Sequence, residues 1–322
     1  MGRHMKKLRV AVVGTGYLGK FHAEKYAQMD EVDLIGIVDI DKEVAEKIAK
    51  KFNTAAYTDH REILDRVDAV SIVVPTSAHF PVAKDCLENR IDILVEKPIT
   101  TSIQEADELI SIADSKKLII QVGHLERFNP AVVALQNVIM EPMFIESHRL
   151  SVYKGRATDV SVVFDLMIHD IDIILTLVKS DVKTIHASGS PVISDHVDIA
   201  NARIEFENGC VANVTASRIS IKNERKIRLF QKNAYISIDF AKPEVTVIQQ
   251  NSSAKGGLIP GMEVKHININ KGDALKDEIS SFVNAVIKRK TPEVTGMMGR
   301  NALKVALSTM KQIRSPGRPF IK

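Results

Sequence analysis

The 322-residue sequence predicts an α/β protein in two parts: an N-terminal doubly wound parallel sheet, then a C-terminal α+β part with a large, mostly antiparallel open sheet. Three observations predict it. Apolar runs of strand length alternate with helical stretches through the first third. A glycine-rich turn joins the first run to the first helical stretch. After Gly123 the alternation stops, and strand follows strand.

Taken in order, Leu8–Val13 is a continuous apolar run ending in glycine, the mark of a strand buried on both faces. Tyr17–Met29 has helical spacing, Val32–Val38 reads as a strand, and Lys42–Phe52 as a helix. Thr54–Tyr57 is short and extended. Asp59 caps a short helix ending near Arg66. Ala69–Val74 is a strand stopped by Pro75, Ala78–Asn89 a helix, and Ile91–Val95 a strand. Ile103–Ser115 is a helix capped by Thr101 or Ser102, and Leu118–Val122 a strand. Strand–helix units with short links imply right-handed crossovers in one parallel sheet. Pro130–Ile139 then reads as helix, Phe144–Tyr153 as strand and Phe164–Val178 as helix. Seven strands follow: Thr184–Ser188, Val197–Glu207, Cys210–Ile219, Lys226–Gln231, Tyr235–Phe240, Val245–Gln249 and Val264–Ile269. Asn208-Gly209 makes a hairpin turn, since both residues tolerate positive φ. Residues 251–261 form a small-residue loop, and helices near Ala274–Arg289 and Gly299–Ile313 close the chain. The domains expected are 5–123 and 124–322, with Met1–His4 a vector remnant ahead of Met5.

Composition narrows the function. Apolar residues are 45% and charged residues 26%, which is globular usage rather than disorder. Forty-four basic against 40 acidic residues leave a net charge of +4, with no Lys/Arg block, so no nucleic-acid partner is expected. Cys86 and Cys210 are the only cysteines and form no C-x-x-C, which points to a reducing, cytoplasmic setting. The apolar stretches Val70–Pro75 and Ile171–Val178 fall far short of the ~20 residues that span a bilayer. No signal-peptide core is present.

Gly14-Thr15-Gly16-Tyr17-Leu18-Gly19 lies between the first strand and first helix, where a G-x-G-x-x-G turn binds a dinucleotide. Gly14 allows the tight turn, Gly16 the approach of the pyrophosphate, and Gly19 close helix–strand packing. The helix N-terminus then offers free N–H groups to phosphate. Asp39 ends the second strand 20 residues later, where a carboxylate accepts ribose hydroxyls and repels a 2′-phosphate. NAD is therefore favoured over NADP, with Lys42 the one cation nearby that argues the other way. Glu96-Lys97-Pro98 ends the fifth strand, at the edge where such sheets bind ligands; proline keeps Lys97 extended and permits a cis peptide. Asp165 and His169 are four apart on an otherwise apolar helix and share a face, and Asp172 joins them. A histidine there either exchanges a proton with an alcohol or sits in a structural ion pair. Those three residues are also a weak metal set, but no second ligand cluster accompanies them, and no metal is expected.

The series G-T-G-Y-L-G, Asp39, Pro75-Thr76-x-x-His79, Glu96-Lys97-Pro98 and D-L-M-I-H-D-I-D (Asp165–Asp172) resembles the Gfo/Idh/MocA family of nicotinamide-dependent sugar and cyclitol oxidoreductases. The resemblance covers nearly the whole chain and implies a Rossmann domain followed by an open-sheet domain that pairs subunits as homodimers or homotetramers. It implies Lys97 and His169 as the catalytic pair with Asp165 beside them. Pro75, Thr76, His79, Glu96 and Lys97 join Gly14–Gly19 and Asp39 around the cofactor. Met167 stands where one family pattern has glycine. Val122–Pro130 and Val162–Asp172 look like the members that oxidise the 3-hydroxyl of UDP-N-acetylglucosamine for lipid A. Arg127, Lys154 and Arg156 are then candidate phosphate ligands beside Asp165 and His169. An inositol or free-sugar dehydrogenase, or a non-catalytic NAD-binding regulator, are the alternatives. In the expected reaction, His169 or Lys97 takes the hydroxyl proton while the carbon-bound hydrogen leaves as hydride.

Overall fold

The computed structural model describes residues 6–135, 139–153, 155, 160–240, 244–251, 261–269 and 272–314. They divide into two compact units.

The first unit opens with β1 (Leu8–Val13), α1 (Gly19–Ala27), β2 (Val32–Val38), α2 (Lys42–Phe52) and β3 (Ala55–Tyr57). It continues with β4 (Ala69–Ile72), α3 (His79–Glu88), β5 (Asp92–Glu96), α4 (Ile103–Lys116) and β6 (Ile120–Gly123). The six strands are all parallel, in the order β3-β2-β1-β4-β5-β6. The order reverses between β1 and β4, the switch point at which such sheets open a crevice at their carboxyl ends. Local chemistry sets the helix starts. The Asp41 carboxylate accepts the Glu43 and Val44 N–H groups at 3.0 and 3.2 Å, and Ser102 and Glu105 close a capping box on α4. Asp59 caps a 3₁₀ turn, His60–Ile63, through the same device. The first helix begins at Gly19 rather than Tyr17, because Tyr17 and Leu18 belong to the glycine turn.

The second unit holds α5 (Pro130–Val133), β7 (Pro142–Leu150), α6 (Ile168–Val178) and the strands β8 (Val182–Ser190), β9 (Ile199–Phe206) and β10 (Val211–Ser217). It continues with β11 (Glu224–Gln231), β12 (Ala234–Asp239), β13 (Glu244–Gln250) and β14 (Met262–Asn268), and the chain from Lys304 onward also groups with it. These eight strands form one sheet, β14-β13-β12-β11-β7-β10-β9-β8. Only β7 and β10 run parallel; the other neighbours are antiparallel. Along β9, Ala200, Ala202, Ile204 and Phe206 are buried and the alternate residues face outward, the pattern of a sheet covered on one side. Gly209, at φ +85°, turns β9 into β10 as expected. The helical stretch predicted from Pro130 is described only over Pro130–Val133, and most of the 251–261 loop and Met1–His4 lie outside the described residues.

Two expectations need correction. The chain does not divide once near 123. Asp273–Leu303, which carries α7 (Ala274–Lys288) and the start of α8 (Gly296–Arg314), groups with the chain up to Leu125. The reason is apolar packing: Ile279, Phe282, Val283 and Val286 of α7 share a core with Val10, Val12, Ala23, Tyr26 and Leu94. The helix predicted over Phe164–Val178 is also not uniform. Val163–Met167 is a π-helical turn, and regular α-helix starts at Ile168. Among the described residues, no helix is long and apolar enough to cross a membrane.

Candidate active site

Parallel pairing places the ends of β1, β2, β4, β5 and β6 on one edge of the first unit's sheet. The glycine turn follows β1. Gly14 has φ +86°, and a Cβ there would lie 2.7 Å from the Val73 carbonyl oxygen. At Gly19 a Cβ would lie 1.9 Å from the Gly14 oxygen. These two glycines are demanded by the fold itself. Gly16 is different: it is exposed, and a Cβ there would meet nothing within 4 Å. Space has been left at the one position where a phosphate would approach backbone. No side chain caps α1, and no acidic residue occupies its first turn, so its N-terminal N–H groups remain available to an anion.

Asp39 borders the same turn. Its Oδ2 accepts hydrogen bonds from the Thr15 N–H at 2.7 Å and the Thr15 hydroxyl at 3.1 Å, while Oδ1 accepts the Asp41 N–H at 3.1 Å. Oδ1 keeps a lone pair for a ribose hydroxyl. Asp41, not Asp39, caps α2, and Lys42 reaches toward Glu46 at 3.7 Å instead of toward Asp39. Turn, helix end and carboxylate thus fit a dinucleotide. Replacing Gly16 by Val should leave the melting temperature near wild type and weaken NAD binding at least about tenfold in a fluorescence titration, since the added methyls occupy space only the ligand uses.

Beyond β4, Pro75 is exposed and Thr76 half-buried, both at the crevice edge. His79 is corrected as a direct cofactor contact. It is buried, with Nδ1 2.9 Å from the Pro98 carbonyl oxygen and Nε2 3.0 Å from that of Val74. Burial pushes its pKa down, and a neutral ring donates its one N–H to one of these carbonyls while its other nitrogen only packs against the second, between the loop after β4 and the loop after β5. Glu96 is corrected in the same sense. One carboxylate oxygen lies 3.3 Å from His22 Nε2 and the other accepts the Lys97 N–H at 3.3 Å. Its carboxyl faces Gly123, leaving it to hold Lys97 rather than to meet the cofactor. Lys97 itself is half-buried at the strand end, and the Lys97–Pro98 peptide is cis.

In the second unit, the structure sorts four polar residues that the sequence sets close together. Asp172 is buried and takes a two-pronged ion pair from Arg127 (2.6 and 3.1 Å). Asp170 is buried and takes Arg149 the same way, with contacts of 2.7 to 3.1 Å. Arg149 also donates to Glu126 at 3.0 Å. Burial would raise the Glu126 carboxyl, but the charge and hydrogen bond of Arg149 hold it below its ordinary value. Asp165 and His169 alone of this group remain half-buried. Arg127 is therefore corrected: a guanidinium buried against Asp172 is not a phosphate ligand. Asp172 equally drops out of the face shared by Asp165 and His169, and out of any metal set with them. Lys154 and Arg156 lie outside the described residues. The sequence reading missed Arg149, Asp170 and Glu126; only Asp170 carried a signal, a charge inside a largely apolar helix.

Comparisons with known proteins give the family. The family model for the GFO_IDH_MocA oxidoreductases, with an NAD-binding Rossmann fold, matches residues 8–124, and that for the GFO/IDH/MocA C-terminal domain matches residues 142–237. The chain is 36% identical to the UDP-N-acetylglucosamine 3-dehydrogenase of Acidithiobacillus ferrooxidans over 99% of its own length and 100% of the relative's. A solved structure of that enzyme superposes with a TM-score of 0.90 at 35% identity, covering 96% of this chain and 98% of the other. The scyllo-inositol 2-dehydrogenase (NAD(+)) of Bacillus subtilis is 26% identical, over 96% and 95% of the two chains. The chain belongs to the Gfo/Idh/MocA family and is an NAD-binding oxidoreductase acting on CH–OH groups.

Proposed function

We propose that the protein oxidises the 3-hydroxyl of UDP-N-acetylglucosamine to a ketone with NAD⁺. The observation that carries this reading is the likeness to the Acidithiobacillus enzyme from end to end of both chains. Bound NAD⁺ supplies the hydride acceptor. His169 is the base that takes the hydroxyl proton, and the half-buried Asp165 steadies its ring and the charge it gains. Lys97 donates a charged hydrogen bond to the same substrate oxygen. What supports this assignment is position: Lys97 follows β5 at the carboxyl edge of the sheet, and Asp165 and His169 are half-buried, whereas Asp170 and Asp172 are buried in ion pairs with arginines. Pro75, Thr76, Thr15, Tyr17, Leu18 and Asp39 surround the cofactor, and Arg156 remains the candidate for the substrate phosphates. The subunits assemble as a homodimer or homotetramer through the eight-stranded sheet. Both cysteines are free and buried, which suits the cytoplasm.

The test is NADH formation with UDP-N-acetylglucosamine, N-acetylglucosamine and myo-inositol side by side, in the presence of a carbonyl trap. Turnover with the nucleotide sugar alone is expected. Turnover with myo-inositol or the free sugar would move the protein to another branch of its family and remove the nucleotide from the reading.

A further inference from the structure

Inside the first unit, away from the glycine turn, α1, β5 and α7 bring together His22, Glu96 and Glu278. The imidazole and carboxylate atoms all lie within 4.8 Å of one another. His22 and Glu278 are completely buried. His22 Nδ1 stands 3.2 Å from the Ser71 hydroxyl, which in turn is 2.8 Å from the Tyr26 hydroxyl. Gln121 of β6 donates to the backbone carbonyl of Glu278 at 2.9 Å, and its own side-chain oxygen accepts from Ser281 at 3.4 Å. The Glu278 carboxyl gains nothing from this network. Among the described residues, neither of its oxygens has a hydrogen-bond partner.

A bare carboxylate in such a place is heavily penalised, and a second carboxylate beside it adds repulsion. We propose that Glu278 is a neutral carboxylic acid at physiological pH, and that its proton leaves Glu96 as the single carboxylate of the cluster, which positions Lys97. The connection is direct: Glu96 accepts the Lys97 backbone N–H. If Glu278 ionises, two carboxylates within 4.8 Å repel each other, and Glu96 is the one able to swing away, since it stands at a strand end. Burial first, and then the charge of Glu96, push the Glu278 carboxyl well above its ordinary range. The titratable groups facing it are His22 and Tyr26 from α1 and Glu96 from β5. The facing residues of β4 and β6, Ser71 and Gln121, carry no charge.

A divalent cation is the rival occupant. Tetrahedral bonds of ~2.1 Å would set the ligand atoms about 3.4 Å apart, a spacing the 3.3 Å between His22 Nε2 and Glu96 already meets, so metal analysis of the purified protein is what separates the two occupants. The proton's presence stands on the cluster alone; its consequence for Lys97 rests on the dehydrogenase reading.

Infrared spectra of the intact wild-type protein with ¹³C-labelled glutamate should show the carbonyl stretch of a protonated carboxylic acid at neutral pH, lost in Glu278→Gln. The amide of that variant imitates the neutral acid, so melting curves give a second readout. A carboxyl whose folded pKa is raised holds its proton only in the native state between its unfolded and folded pKa values. Wild-type stability therefore falls through that window as pH rises. Relative to Glu278→Gln, the wild type should lose several degrees of melting temperature between pH 5 and 8. Above that window, where Glu278 ionises in the native state, NADH formation by the wild type should decline more steeply with pH than that of the variant. Absence of the protonated band in the wild type overturns the proposal even if the variant fails to fold. So does one equivalent of bound metal in the purified wild type. The band and the melting trend without turnover on any sugar would leave the neutral acid standing and remove the dehydrogenase reading instead.

Discussion

Lys97→Met is expected to abolish turnover while NAD still binds. Methionine retains most of the unbranched stem that fills this half-buried position at the end of β5, so the loop through Pro98 and its tie to His79 should persist. What disappears is the ammonium that stabilises negative charge developing on the substrate oxygen. Loss of one such group costs roughly 10²- to 10⁴-fold in kcat. Steady-state NADH formation, with NAD binding measured separately by fluorescence, separates the two effects. A variant with near-normal kcat would remove Lys97 from the chemistry. A variant with normal kcat for the residual activity but much weaker NAD binding would make Lys97 a cofactor ligand only.

The largest loss of stability is expected from Asp170→Asn. Arg149 and Asp170 are both buried, and the guanidinium meets that carboxylate through Nε and one terminal nitrogen. Its other terminal nitrogen reaches Glu126. Burial opposes the charge on Arg149, but Asp170 and Glu126 more than compensate and push its pKa up. Removing the Asp170 charge leaves the arginine desolvated with one carboxylate in place of two. Breaking a buried pair in this way costs about 3–5 kcal/mol, a fall in melting temperature on the order of 10 °C. The exposed Lys42–Glu46 pair is the control, and Glu46→Gln should not move the transition measurably. Because Asp170 adjoins His169, the variant should also lose kcat. If Asp170→Asn melts with the wild type, the pair is not what fixes α6.

The first unit was readable from sequence nearly element by element because its signals are local. Asp41, Asp59 and Ser102 cap helices through hydrogen bonds two or three residues away; Asp59 caps as expected, and of the two candidates for α4 Ser102 is the cap. Gly14 and Gly19 announce a turn whose sterics involve the turn itself and the adjoining loop. The strands of the second unit were legible for a similar reason, since period-two alternation survives wherever one face is covered. Departures came where the partner is remote in sequence. His79 resembled a cofactor contact until its two carbonyls, at Val74 and Pro98, were in place. Arg127 resembled a phosphate ligand because Asp172, 45 positions away, could not be foreseen as its partner.

By itself, then, the sequence determined the two-part fold and the glycine turn, and it named Asp39 as the candidate ribose carboxylate and Lys97 and His169 as the candidate pair, since each is written in short-range spacing or in motifs. Only the tertiary structure decided which charged side chains are available for chemistry. Burial makes an unpaired charge costly, so every buried charge acquires a partner, and that partner is chosen by packing across the chain. Packing placed Asp172 on Arg127 and Asp170 on Arg149, and it left the Glu278 carboxyl without a hydrogen bond among the described residues. The same packing returned α7 to the first unit, because its apolar face completes the core beneath β1 and α1.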